Sequence, residues 1–141
     1  MTITTSELMH LLKAQKSVDD YLEIAKGALL DISLSDYLQQ CVEESGMTKA
    51  EIIQGSGLER CYAYQILNGK KEHPARDKLI RLAFGLKLNA EQTQNLLKAA
   101  GKAVLNPRNL RDSIILFVLS HGGNVISCDE LLEDRGQQPL E

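Results

Sequence analysis

The polar side chains of residues 59–71 have the chemistry to hydrogen-bond another molecule. The stretch from Cys61 to Lys71 reads CYAYQILNGKK, and it holds two of the four tyrosines of a chain that has no tryptophan. If this stretch is a helix, Ala63 and Ile66 lie on one stripe, and polar side chains face the opposite way. Those polar side chains are Arg60, Cys61, Tyr64 and Gln65. We therefore expect a helix over 59–68 with one buried face and one face available for binding.

The side chains on the polar face match the chemical groups on the edges of DNA bases. The fork of Arg60 suits O6 and N7 of guanine, Gln65 suits an adenine edge, and Tyr64 suits a thymine methyl. The alternative to these base contacts for Tyr64 and Gln65 is packing against the next helix. Glu59 suits N4 of cytosine, but an acidic residue is equally favourable at a helix N-terminus. Arg60 is unfavourable there, which favours a functional role for it over that of a plain surface cation. Cys61 is either a sensor of oxidants or, as we expect, a neutral thiol.

The charge of the chain is unevenly distributed. The formal net charge of all 141 residues is −3, which gives no sign of a polyanionic partner. Residues 58–87, however, contain seven basic and three acidic residues, a local excess of +4. A basic stripe on one face attracts a polyanion, and the alternative is a set of ordinary solvated helix faces.

Capping residues and glycines divide the chain into short helices, which predicts an all-α fold. Thr48 with Glu51, and Asn89 with Gln92, have the pattern of capping boxes, and the helix after Thr48 is expected to end near Gly57. Further helices are predicted over 35–45, 75–87, 90–100 and 110–119.

The two ends of the chain also have helical patterns. One helix is predicted from about Thr5 and a second after Ser17. Near the other end, Ser127 with Glu130 predicts a capping box for a last short helix, while residues 124–128 are a weak candidate for a strand.

Composition and motifs exclude several classes of protein. No apolar run approaches the roughly 20 residues that span a bilayer, so we expect no membrane segment. The first residues lack the pattern of a signal peptide, and three cysteines without a CxxC pair suit reduced thiols, which indicates a cytoplasmic protein. The histidines at 10, 73 and 121 have no metal-ligand spacing, and no phosphate-binding glycine loop is present. We therefore expect no catalytic site, no metal and no cofactor.

The segment 48–71 combines a capped helix, a glycine turn and a second helix that ends in Asn-Gly-Lys. It resembles the helix-turn-helix of the lambda-repressor-like (XRE-type) DNA-binding family, and the correspondence needs no gap. Thr48 stands at the cap of the family pattern, Gly57 at the turn glycine and Ile66 at the last core position. The chain departs from the pattern at Ile53, where alanine is usual, and at Ala63, where Ile or Val is usual. If these two face each other, the exchange nearly conserves volume.

This resemblance implies a five-helix DNA-binding domain over residues 34–101, with helical extensions over 1–33 and 102–141. It places helix 59–68 in the major groove of double-stranded DNA, with base contacts from the polar face and from Glu59. It also implies phosphate contacts from the residues that match the family's positions, which are Lys49, Asn68, Lys70 and Lys71. Arg76 is a further, weaker candidate for a phosphate contact.

The function expected from the sequence is that of a sequence-specific transcriptional regulator. The alternative is a helical protein-interaction module that keeps the fold without binding DNA and uses the apolar 110–119 helix and the acidic tail. A regulator that senses a small molecule finds no support, because 40 residues leave no room for a separate ligand domain. Residues 114–119 are apolar without a break. They either form a homodimer interface or are buried within the monomer.

Overall fold

A computed structural model of the protein describes residues 33–141, and the helices predicted near Thr5 and after Ser17 lie outside them. The described residues form seven helices and no strand, so the all-α prediction is confirmed for this part of the chain. The helices are α1 Leu34–Ser45, α2 Lys49–Ser56, α3 Arg60–Leu67, α4 Arg76–Gly85, α5 Ala90–Ala99, α6 Leu110–Ser120 and α7 Val125–Asp134. Within residues 33–141, no helix is long and apolar enough to cross a bilayer.

Local capping explains where most of these helices begin. Thr48 and Glu51 form the predicted capping box of α2, and Asn89 and Gln92 form that of α5. In each box the cap side chain accepts from a backbone N–H of the first turn, which satisfies a donor that has no partner inside the helix. Gly57 follows α2 in the left-handed region, with φ of 68°.

The start of α7 differs from the prediction. Its cap is Asn124 and not Ser127, and the 124–128 stretch that resembled a strand is helical from Val125. Asn124 Oδ1 accepts from Ser127 N over 2.8 Å, while Ser127 Oγ accepts from Asn124 N over 3.0 Å. With the helix starting there, Val125, Cys128 and Leu132 fall on one buried stripe, which explains the earlier start.

One hydrophobic core includes residues from all seven helices. Its fully buried side chains include Leu38, Ile52, Ile66, Leu79, Leu96, Ile115 and Leu132. Residues 102–141 therefore contribute to the same core as residues 34–101. Ile53 and Ala63, the two departures from the family pattern, are both buried in this core.

Helices α2 and α4 approach each other at two glycines. A Cβ built on Gly85 would lie 2.2 Å from the carbonyl oxygen of Ile52, and one on Gly55 would lie 3.2 Å from Gly85 Cα. Because two backbones meet here without intervening side chains, α4 fixes the position of α2 and of the turn that follows α2.

Candidate nucleic-acid interface

A short turn joins α2 to α3. It consists of Gly57, Leu58 and Glu59, and Leu58 is half-buried. The hydroxyl of Ser56 donates to Ile53 O over 2.6 Å and accepts from Leu58 N over 3.2 Å. These bonds, together with the left-handed Gly57, determine the direction in which the chain enters α3.

Helix α3 has one buried side and one polar side. Ala63, Ile66 and Leu67 are buried in the core. We call the opposite side the α3 polar face, and it consists of Arg60, Cys61, Tyr64 and Gln65. All of these are exposed except Tyr64, which is half-buried. The structure thus separates the two sides as predicted, with Tyr64 partly packed against the core.

Aromatic rings support two of the cations near α3. The guanidinium carbon of Arg60 lies 5.7 Å from the centroid of the Tyr64 ring, and Lys71 Nζ lies 5.2 Å from that of Tyr62. At this distance the cation is attracted to the face of the ring. Tyr64 therefore helps to orient Arg60 on the exposed side of α3.

Several predicted phosphate contacts lie together around the C-terminal end of α3. Lys49, at the start of α2, donates from Nζ to Asn68 Oδ1 over 2.9 Å, which brings the first residue of α2 to the residue after α3. Lys70 and Lys71 follow and are exposed. We call Lys49, Asn68, Lys70 and Lys71 the lysine cluster. Gly69 makes the turn between Asn68 and Lys70 possible, because it has φ of 80°.

Glu59 is the N-cap of α3. Its two carboxylate oxygens accept from Cys61 N over 2.9 Å and from Tyr62 N over 2.8 Å. These backbone N–H groups stabilise the charged carboxylate and hold the pKa of Glu59 below its ordinary value. This is the structural role that the sequence offered as an alternative, so we leave Glu59 out of the proposed base contacts.

The structure gives Arg76 a role different from the predicted phosphate contact. Its guanidinium donates to both carboxylate oxygens of Asp112, over 2.9 and 3.1 Å, and also to the carbonyls of Ala103 and Val104. The fork of Arg76 is therefore occupied in joining α4 to the chain around α6. A guanidinium has five N–H donors, and four hydrogen bonds within the protein leave Arg76 few donors for a phosphate.

No group of three or more His, Cys, Asp or Glu residues in the described part of the chain is placed to hold a metal ion. Comparison of the whole chain with protein-family models, curated proteins and solved structures finds no match. The function of the α3 surface therefore has to be inferred from its geometry and charge.

Proposed function

We propose that this chain is a sequence-specific, double-stranded DNA-binding transcriptional regulator of the lambda-repressor-like kind. In this proposal α1 to α5 are the five helices of the DNA-binding domain, α3 is its recognition helix, and the protein is not an enzyme. The main support is the arrangement of α3, whose polar face is exposed beside the lysine cluster while its apolar stripe holds it in the core.

In the proposed complex, α3 lies in the major groove with its polar face toward the base edges. Arg60 donates two hydrogen bonds to a guanine, and Gln65 pairs with an adenine. The lysine cluster, which lies at the C-terminal end of α3, binds phosphates beside the groove, which positions the helix but carries no sequence information.

A salt titration with random duplex tests the proposal. The affinity should fall steeply as salt rises, because each phosphate neutralised by a lysine releases counterions and adds about −0.9 to the logarithmic slope. Lys70→Ala should reduce that slope by about one unit and weaken binding to every duplex alike. A flat salt dependence, or no binding at low salt, would contradict the proposal.

Base recognition is tested by Arg60→Ala on an operator selected from genomic fragments with the purified protein. We expect specific affinity to fall by about 1–3 kcal/mol, with discrimination relaxed at one base-pair position, because a bidentate base contact is lost. Lys70→Ala is the matched control, and thermal melts check that both variants remain folded. If Arg60→Ala leaves base preference unchanged while Lys70→Ala alters it, the wrong side of α3 has been assigned.

The second candidate function, a protein-interaction module, is favoured by apolar side chains exposed on the C-terminal helices. Leu110 and Phe117 on α6 are 55% and 56% exposed, and Ile126 on α7 is 71% exposed. Most of the apolar run at 114–119 is nevertheless buried within the monomer, including Ile115 and Val118. The surface left for another protein is therefore smaller than the sequence suggests.

We also propose that two copies bind one operator, because a single eight-residue helix reaches only a few base pairs. The exposed side of α6 around Phe117 is our candidate for the contact between copies. Light scattering at micromolar concentration should then give a dimer on duplex, and Phe117→Ser should weaken it without lowering the melting temperature. A strict monomer, both free and on duplex, would contradict this prediction.

A further inference from the structure

The last four residues of the chain form a strap, residues 138–141, that is held by hydrogen bonds from arginines of other elements. Arg111 of α6 donates from Nε to Gln138 O over 2.8 Å and from Nη2 to Pro139 O over 3.2 Å. Leu140 is buried, and its backbone N–H donates to Asp129 Oδ1 over 2.9 Å. The strap is therefore part of the packed structure.

Arg81 of α4 connects this strap to the end of α2. It donates from Nη2 to Leu140 O over 2.7 Å and from Nε to Glu141 O over 3.0 Å. Its remaining nitrogen, Nη1, donates to Ser56 O over 3.2 Å. Because a guanidinium is planar and rigid, two bonds to the strap determine the direction in which the third N–H points.

The residue that Arg81 holds immediately precedes the turn of the proposed DNA-binding motif. Ser56 is the last residue of α2, and its hydroxyl accepts from Leu58 N within the turn. A Cβ built on Gly57 would lie 2.9 Å from Arg81 Nη1, so the turn packs directly against the guanidinium. Helix α3 begins at Arg60, three residues beyond Gly57.

We infer that Arg81 is a positioning residue for α3, and that the docked strap holds Arg81 in place, so that the strap controls the accuracy of base recognition. This inference rests on the proposed function. With the strap released, the guanidinium is free to turn toward Asp129, whose Oδ2 lies 3.8 Å from Nη2, and Ser56 O loses its donor. Hydrogen bonds to base edges depend on direction, so they weaken when a looser turn lets α3 change its orientation. Phosphate contacts from flexible lysines depend mainly on charge and persist.

Two variants test this from opposite sides, and a third is the matched control. Arg81→Lys keeps the positive charge but removes the planar guanidinium. Leu140→Ala removes the buried side chain that holds the strap and leaves residue 81 unchanged. Arg76→Lys is the control, since Arg76 is also a partly buried α4 arginine that forms an ion pair and binds carbonyls, but none of its partners belongs to the turn. Each full-length variant is titrated with operator and with random duplex.

We expect Arg81→Lys and Leu140→Ala to reduce the preference for operator over random duplex by roughly tenfold, while affinity for random duplex stays within about twofold. Arg76→Lys should keep the preference for operator even if its melting temperature falls as much as those of the Arg81→Lys and Leu140→Ala variants. An equal loss of preference in Arg76→Lys would show that Arg81 acts only through the general stability of the protein and does not position α3. An unchanged preference in the first two variants would overturn the inference.

Amide hydrogen exchange gives a readout that needs no DNA. Gly57 N donates to Gln54 O and Leu58 N to Ser56 Oγ, so both amides report on the turn. Their exchange should become faster in Arg81→Lys and Leu140→Ala but not in Arg76→Lys. If the wild-type protein binds no duplex, the proposed function fails. The strap inference then depends on these amides alone, and unchanged exchange would overturn it.

Discussion

Replacing Gly85 with Ala should lower the free energy of unfolding by about 3 kcal/mol, at the upper end of the range for overpacked cores. The added Cβ would lie 2.2 Å from Ile52 O and 3.0 Å from Ser56 N. Both contacts are backbone atoms of α2, so no side chain can rotate to make room and the two helices must separate. The higher helix propensity of alanine, about 1 kcal/mol, offsets only part of this cost. Denaturation by urea measures the change.

Gly55→Ala is the control for this prediction, because it adds the same methyl group on the facing helix. There the nearest atom to the new Cβ would be Gly85 Cα at 3.2 Å, a tight contact that a small shift relieves. We expect its free energy of unfolding to stay within about 1 kcal/mol of that of the wild type, since helix propensity favours alanine. Equal stability of the Gly85→Ala and Gly55→Ala variants would mean that α2 and α4 do not meet at Gly85.

Local signals in the sequence predict most of the helices correctly. The pairs Thr48 with Glu51 and Asn89 with Gln92 each act within one turn of helix, so four consecutive positions contain all the information that a capping box needs. The two sides of α3 were predictable for a similar reason, because helical periodicity alone separates Ala63 and Ile66 from the polar face.

The start of α7 was predicted wrongly because two residues there are suitable caps. Ser127 with Glu130 matches the commonest capping-box pattern, whereas Asn124 with Ser127 is a less usual pair. Burial of Val125 favours the earlier start, and that burial depends on helices elsewhere in the chain. Local sequence does not contain this information.

The charge pattern was the least reliable guide to the candidate site. Among the basic residues of 58–87, Arg76 and Arg81 face Asp112 and Asp129, which are 36 and 48 residues further along the chain. No periodic signal links positions so far apart, so a count along the sequence treats these arginines as free cations. When their partners Asp112 and Asp129, and Arg111 beside Asp77, are counted with residues 58–87, the net charge falls from +4 to +3. Arg60, Lys70 and Lys71 lie at the candidate site, whereas Lys78 and Lys87 lie on α4 and just after it.

After Gly85→Ala, the second large loss of stability is expected when the contact between Arg76 and Asp112 is removed. Asp112 is buried, and its carboxylate accepts from two nitrogens of Arg76 and from Asn106 N over 3.0 Å. Asp112→Ala would leave the Arg76 guanidinium and the Asn106 N–H without this acceptor. Because removing one partner of a buried pair leaves the other charge without its counter-ion, we expect a loss of about 3 kcal/mol in the free energy of unfolding, at the lower end for such pairs because Arg76 is only partly buried. Glu130→Ala, which removes an exposed carboxylate of α7, should change it by less than about 0.5 kcal/mol.

The pH dependence of the free energy of unfolding distinguishes the contribution of the charge of Asp112 from that of its size and packing. Burial alone raises the pKa of Asp112, but hydrogen bonds from Arg76 and Asn106 and the charge of Arg76 outweigh burial and hold this pKa below its ordinary value. A carboxyl group with a lower pKa in the folded protein than in the unfolded chain stabilises the fold at pH values above its unfolded pKa. That stabilisation disappears as pH falls through the folded pKa. The wild-type protein should therefore exceed Asp112→Asn in unfolding free energy at neutral pH, and the gap should narrow below about pH 4. Urea denaturation of both proteins from neutral pH to about pH 2 measures the gap, and a gap that stays constant across this range would show that the ion pair is not its source.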